Sequence, residues 1–309
     1  MSDELGILIL GASGQVGREL QHSFADFGRV TAVDRASIDL AAPEEIRGLV
    51  RRIAPQVILN AAAYTAVDRA ESEPELAMAI NAEAPRVLAE EALHLNALLV
   101  HYSTDYVFDG SKREPWSEDD EPHPLNVYGA GKLEGERAIQ RVGGKHLIFR
   151  TSWVYGPHGR NFLLTMLRLA RERERLTVVD DQIGAPTTSL ELAAATRAIV
   201  AGALAGRFGA PQDWSGLYHM TCAGSTTWFG FARAIFARAE RLLESRGPEL
   251  APIASADYPT PARRPHNSVL LNARLHRRFG VRLAPWTAAL DAALQALAAA
   301  AGNLPSPGK

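Results

Sequence analysis

Tyr128 and Lys132 stand one helical turn apart in the stretch NVYGAGKLEGE, residues 126–136. That spacing lets a phenol and an ammonium share one helix face. Upstream, VHYSTDYVFDG (100–110) carries Ser103, Thr104 and Asp105 in succession. Phenol, ammonium and hydroxyl together suit carbonyl reduction, in which hydride adds to carbon while a positioned acid protonates oxygen. A tyrosine with its ordinary pKa of about 10 is a poor partner for that exchange at neutral pH. A nearby ammonium favours phenolate and draws the acid toward its working range. Thr104 would add a second hydrogen bond to the substrate oxygen as negative charge grows there. The plain alternative is a packed tyrosine followed by a solvated lysine. Against it, 29 of the 33 basic residues are arginine and only Lys112, Lys132, Lys145 and Lys309 are lysine. Where this chain needs mere positive charge it uses arginine, so a compact ammonium at position 132 is a specific choice.

Those residues need a scaffold that brings them to one edge. The first half alternates apolar runs with helical periodicity. GILILG (6–11), VTAVD (30–34), VILNAA (57–62), LLVHYST (98–104) and HLIFRTS (146–152) read as strands, the continuous apolar ones as buried parallel strands. Strand–helix–strand alternation predicts a doubly wound parallel sheet with right-handed crossovers. Beyond residue 152 the rhythm loosens: helices over 161–174, 189–204, 227–245 and 286–301, strands over 176–181 and 216–222, and an extended Pro- and Arg-rich loop over 257–270. The expected organisation is a dinucleotide-binding domain over 1–152 with returning segments at about 188–222, a smaller C-terminal substrate lobe over 153–187 and 223–301, and a disordered tail over 302–309.

LILGASGQVGREL sets Gly11, Gly14 and Gly17 at the junction of the first strand and first helix. Glycines there allow a tight turn, close approach of backbone to a pyrophosphate, and close helix packing, with the helix N-terminus facing the phosphates. The fold expected is therefore a Rossmann-like doubly wound sheet binding NADPH or NADH, with Gln15 and Val16 on the same loop. Asp34 would bond a ribose 2′-hydroxyl, as NADH requires, while Arg35 or Arg18 could meet the 2′-phosphate of NADPH; both cofactors stay open. Asp39 and Leu40 fall on the adenine side. Ala62, Ala63 and Thr65 of NAAAYT (60–65) fall on the nicotinamide side, and Lys132 could also hold the nicotinamide ribose.

Composition narrows the partners. With 47% hydrophobic and 22% charged residues and a formal net charge of −2, the chain gives no case for nucleic acid or an anionic membrane. The acidic N-terminus lacks a basic signal-like region, which leads to an expectation of a cytoplasmic protein. Cys222, the single cysteine, excludes an internal disulfide and reads as a buried thiol.

The set GASGQVG, NAAAYTAVDRAE, NAEAP, STDYVFDG, YGAGK, RTSWVYG, DDQIGAPT and RRPHNSVL resembles the dTDP-4-dehydrorhamnose reductases, within the extended short-chain dehydrogenase/reductase superfamily, over about residues 6–295. The resemblance implies reduction of the 4-keto group of dTDP-4-dehydro-6-deoxy-L-mannose by NAD(P)H to dTDP-L-rhamnose. It gives the catalytic roles to Thr104, Tyr128 and Lys132. It lines the sugar pocket with Val67, Asp105 and Trp153, sets Gln182, Gly184 and Pro186 near the substrate lobe, and offers Arg263 and Arg264 to the diphosphate. Asn81 matches a helix asparagine of related reductases. The resemblance further implies a homodimer, with structural Mg2+ held by Glu19, Glu191 and Asp291. Two other readings follow from the same fold: a regulatory subunit that binds a dinucleotide without redox chemistry, and a ketoreductase of opposite stereochemistry at C4.

Overall fold

The computed structural model describes residues 4–243 and 247–302. Five strands open the chain: β1 (Gly6–Leu10), β2 (Arg29–Val33), β3 (Val57–Asn60), β4 (Leu98–Thr104) and β5 (Lys145–Thr151). With Gly216–His219 they form a six-stranded sheet in the order β2, β1, β3, β4, β5, Gly216–His219, every pair parallel. The chain winds outward from β1 to β2 on one side and through β3 to β5 on the other. The carboxyl ends of β1 and β3 thus flank the switch point, where a doubly wound sheet leaves a crevice for ligands.

Apolar residues on both faces of each central strand explain the parallel sheet, because helices must cover both sides. Ile7, Ile9, Val100 and Phe149 pack on one face with Leu20 and Phe24 of α1 (Gln15–Phe24) and with Leu192 and Ile199 of the Ser189–Leu204 helix. Leu8, Leu10, Ile58 and Leu99 pack on the other with Ile46 and Val50 of α2 (Pro43–Ile53), Val87 and Leu88 of the Ala84–His94 helix, and Ile139 of the Val127–Val142 helix.

A separate core joins Leu163 and Met166, Phe231 and Ile235, and Leu290 and Leu294. They come from the Phe162–Glu172, Trp228–Arg238 and Trp286–Gly302 helices. The 176–181 strand is found at Arg175–Val179, where it pairs with Glu249–Ile253, a strand the sequence reading did not anticipate. The helix expected over 227–245 stops at Arg238 and resumes as Glu240–Leu243. The tail expected to be disordered lies, past Gly302, outside the described residues. Among the described residues no helix is long and apolar enough to cross a membrane.

Candidate active site

The Val127–Val142 helix starts where Asn126 caps it, its side chain accepting from the Gly129 N–H at 2.8 Å. Its glycines let the backbone sit close to its neighbours: a Cβ on Gly135 would overlap the carbonyl oxygen of Asn81. That approach outweighs the roughly 1 kcal/mol that glycine costs inside a helix. The result brings Tyr128 to the carboxyl end of β4, where its ring meets Tyr106 edge to face, with centroids 6.0 Å apart.

Thr104, buried at that strand end, accepts from the Tyr106 N–H at 3.1 Å and donates to Asp105 Oδ1 at 3.0 Å. Burial pushes the Tyr128 phenol up to about 12; the Thr104 hydroxyl lowers it and the Asp105 carboxyl raises it further. Asp105 is itself pushed up to about 7 by burial, against the opposing pull of the Ser268 and Thr104 hydroxyls. Its Oδ2 has no hydrogen-bonding partner among the described residues. A carboxyl held near neutrality can donate as well as accept, which suits a polar wall beside a carbonyl or hydroxyl.

Lys132 is 1% exposed, and its Nζ lies 3.0 Å from His101 Nε2. Burial draws its pKa down to about 7, with Glu136 opposing. The sequence predicts an ammonium that lowers the tyrosine; here burial dominates both groups and favours phenol and amine, their neutral forms. Behind them, Arg150 donates to both oxygens of Glu136 at 2.9 and 2.6 Å, and Ser103 donates to the same carboxylate.

The loop after β1 fits a dinucleotide. Gly11 takes φ +80, where a Cβ would lie 2.8 Å from the Ala62 nitrogen, and a Cβ on Gly17 would overlap the Gly11 carbonyl oxygen. α1 follows with Gly14 as its cap, no side chain on its first N–H groups and no acid in its first turn. Such a helix end attracts phosphate. Asp34 directly follows β2, its Oδ1 accepting from the Ala36 N–H at 3.1 Å and the Ser37 hydroxyl at 3.4 Å, while Arg35 is exposed. Arg18 donates to the Ser13 carbonyl at 3.2 Å.

A family model described as the RmlD substrate binding domain matches residues 5–299. The chain belongs to that family. The dTDP-4-dehydrorhamnose reductase of Burkholderia thailandensis is 49% identical over 284 residues, covering 91% of this chain and 95% of the relative. The protein of that name from Escherichia coli is 46% identical over 287 residues, covering 91% and 94%. The crystal structure of dTDP-4-dehydrorhamnose reductase from Bacillus anthracis in complex with NADP superposes with a TM-score of 0.85 at 34% identity, covering 94% of this chain and 98% of that one. A Thermus thermophilus UDP-glucose 4-epimerase shares the fold, with a TM-score of 0.74 at 20% identity, covering 95% of this chain and 99% of that one.

Against that reductase family, the remaining candidates fall out unevenly. Val67, half-buried, opens the Val67–Ala70 helix, and Ala62 and Ala63 follow β3 beside Gly11. Trp153 holds φ +46 and stacks on Trp228, centroids 3.5 Å apart and planes 6° off parallel. Gly184 lies directly against the Trp153 ring, so a side chain there would evict it; Gln182 and Pro186 are buried nearby in sequence. Gln15 faces the later segments as well as the loop: it donates to the Val154 carbonyl at 3.4 Å and accepts from Asn161 at 3.0 Å. Asn81 pins the Tyr64 backbone at both its N–H and its carbonyl, at 2.9 and 3.1 Å, a structural role.

One expectation needs correction, and one arginine is already engaged: Arg264 pairs with Asp68 at 2.8 Å and also donates to Thr260 and the Ala262 carbonyl. Arg263 is exposed and its side chain makes no ion pair among the described residues. The magnesium site is not supported. Glu191 accepts from the Ala284 N–H at 2.8 Å, Asp291 pairs with Arg238 at 3.1 Å, and Glu19 lies 3.8 Å from His22 and 3.9 Å from His158. No two of these carboxylates share a partner, and no group of three metal-ligating side chains occurs among the described residues.

Sequence reading missed His101 and Asn60 behind Lys132, and Trp228 behind Trp153. A histidine alternating with Ser103 on the same face of β4 was the available signal, since both side chains then meet one helix.

Proposed function

We propose that this chain reduces the 4-keto group of dTDP-4-dehydro-6-deoxy-L-mannose to give dTDP-L-rhamnose. The observation that carries the reading is the meeting of the Tyr128 phenol and the Thr104 hydroxyl at the same sheet edge as the Gly11–Gly17 turn. NADPH, when bound, supplies the hydride. Tyr128 gives its proton to the carbonyl oxygen, and the Thr104 hydroxyl donates to that oxygen as its charge grows. Lys132, on the same helix face, stabilises the phenolate left behind in its ammonium form, which Glu136 favours and burial opposes. Asp105 and Trp153 form the polar and apolar walls for the deoxysugar, with Val67 beside them and Arg263 for the diphosphate. Gly11, Gly14, Gln15, Val16 and Gly17 hold the pyrophosphate, and the exposed Arg35 supports NADPH over NADH because Asp34 already accepts two local hydrogen bonds. The separate core around Phe231 and Leu290 is read as the substrate-binding lobe.

Incubating the purified protein with NADPH and the 4-keto nucleotide sugar, then identifying the product, tests this. No NADPH oxidation would favour a regulatory subunit, and dTDP-6-deoxy-L-talose would favour the stereochemical alternative. The same reading carries a cytoplasmic homodimer, for which cell fractionation and light scattering are the checks.

A further inference from the structure

We propose that Trp228 is a positioning residue for the sugar pocket, its indole holding the Trp153 ring in place as the apolar wall. The identity of the ligand that meets this wall rests on the reductase reading; the seat of the ring does not. Trp153 stands at φ +46. That left-handed conformation crowds the Cβ of any L-residue and is an outlier for a side chain so bulky. Such a residue persists only where its neighbours over-determine it.

Three short segments do so. Ser152 Oγ donates to the Ala185 carbonyl at 2.8 Å, and the Trp153 carbonyl accepts from the Thr187 N–H at 3.3 Å. Gly184, just before them, pairs with Thr226 across the antiparallel Ile183–Gly184 and Thr226–Thr227 strands. Thr227 then caps the Trp228–Arg238 helix, its hydroxyl oxygen accepting from the Gly230 N–H at 3.0 Å and donating to Asp180. The cap fixes where Trp228 enters the helix, two residues beyond the one that faces Gly184.

The side chains complete the seat. The two indoles lie 3.5 Å apart and 6° from parallel, so Trp228 covers one face of Trp153. Phe162 backs Trp228 at 4.7 Å and stacks in turn on the buried Phe231 at 5.4 Å, which anchors the pair to the core of the later helices. Gly184 lies outside the left-handed region, so its backbone would accept alanine. The ring is what excludes one: a Cβ there would overlap Trp153 Cε2 and lie 2.6 Å from its Nε1. An aromatic at 228 and a glycine at 184 therefore serve one ring position. Trp153 itself stays only half-buried. It follows β5 by two residues, and Thr151 at that strand end pairs with Thr104, so the exposed part of the ring borders the edge that carries the Thr104 hydroxyl.

The first test needs no ligand. Proton NMR of protein deuterated except at tryptophan should show Trp153 ring protons displaced upfield by the ring current of the stacked indole, with Trp153 assigned by the signals missing in Trp153→Phe. Trp228→Leu, which keeps an apolar side chain but removes the flat face, should abolish that displacement. Trp153 protons at ordinary positions, or unmoved in Trp228→Leu, overturn the proposal.

The second test separates holding the wall from merely filling the core. Trp228→Leu should raise KM for the nucleotide sugar about three- to tenfold, the range expected from losing one aromatic pair, with kcat and NADPH affinity changed less than about twofold. Trp228→Phe, which restores a flat ring, should recover most of that loss. In a Trp153→Leu background the leucine at 228 should cost less than about twofold more, because no ring is left to hold. An equal loss in both backgrounds, or phenylalanine no better than leucine, would reduce Trp228 to packing. Gly184→Ala, which presses the ring from another side, should give the same pattern of KM and background dependence and stands in if the leucine variant does not fold. Wild-type protein that oxidises no NADPH would sink the reductase reading and leave the NMR result standing.

Discussion

Lys132→Met keeps the unbranched stem and removes the titrating group, which isolates what this buried amine does to folding. In the unfolded chain the lysine titrates at its ordinary 10.5, and in the fold at about 7. The folded pKa is the lower one, so over the interval between them the unfolded chain holds a proton that the fold refuses. Stability from this group is greatest above 10.5 and falls with pH by about 1.4 kcal/mol per unit. The loss ends near the folded pKa, below which both states are protonated. Between about pH 9 and pH 7.5 the wild type should therefore lose about 2 kcal/mol relative to Lys132→Met. Lys132 is fully buried, so no discount for solvent screening applies. Urea unfolding of both proteins across that window, at matched m values, measures the difference directly. Asp105, pushed up to about 7, and the Cys222 thiol, pushed up to about 12, are common to both proteins and cancel. A stability difference that stays flat from pH 7.5 to 9 would refute the reasoning, because it would mean that the lysine titrates as it does in water.

Other perturbations follow from the same geometry. Tyr128→Phe should cut kcat by about two to four decades while NADPH affinity, read by fluorescence titration, stays near wild type. Near-normal turnover would remove the phenol from the mechanism. Gly17→Ala forces a methyl group against the Gly11 carbonyl and should cost about 1–3 kcal/mol in urea unfolding, with a matching loss of cofactor affinity. Glu136→Gln leaves the Arg150 guanidinium buried without its counter-charge and should destabilise by about 3–5 kcal/mol in a thermal or urea melt.

The parts of this fold that repeat a local physical pattern were legible in the sequence. GILILG and VILNAA are apolar on both faces and became central strands, while Gly11, Gly14 and Gly17 mark a turn that only small residues permit. The Ser189–Leu204 helix falls on the residues its periodicity marked. Long-range pairings were not legible. Glu249–Ile253 contains a proline, and its strand character comes from Arg175–Val179 lying alongside. The sequence does not show that the Val67–Ala70 helix brings Asp68 to Arg264. In the site, spacing placed Tyr128 and Lys132 on one face, but it could not show which atom the ammonium would meet. That partner lies 31 residues away on β4, and burial, which sets the direction of both pKa shifts, belongs to the assembled fold.

Gln15 ties the turn after β1 to Val154 and Asn161, immediately beyond Trp153. Efforts to change nucleotide preference by grafting a foreign glycine loop treat that loop as a module. In this scaffold the graft would also remove the two hydrogen bonds that Gln15 makes to the segment after Trp153, so on the proposed reading of Trp153 as a sugar-facing wall, a swap aimed at one ligand would cost selectivity for the other unless the donor loop carries an amide at the same position.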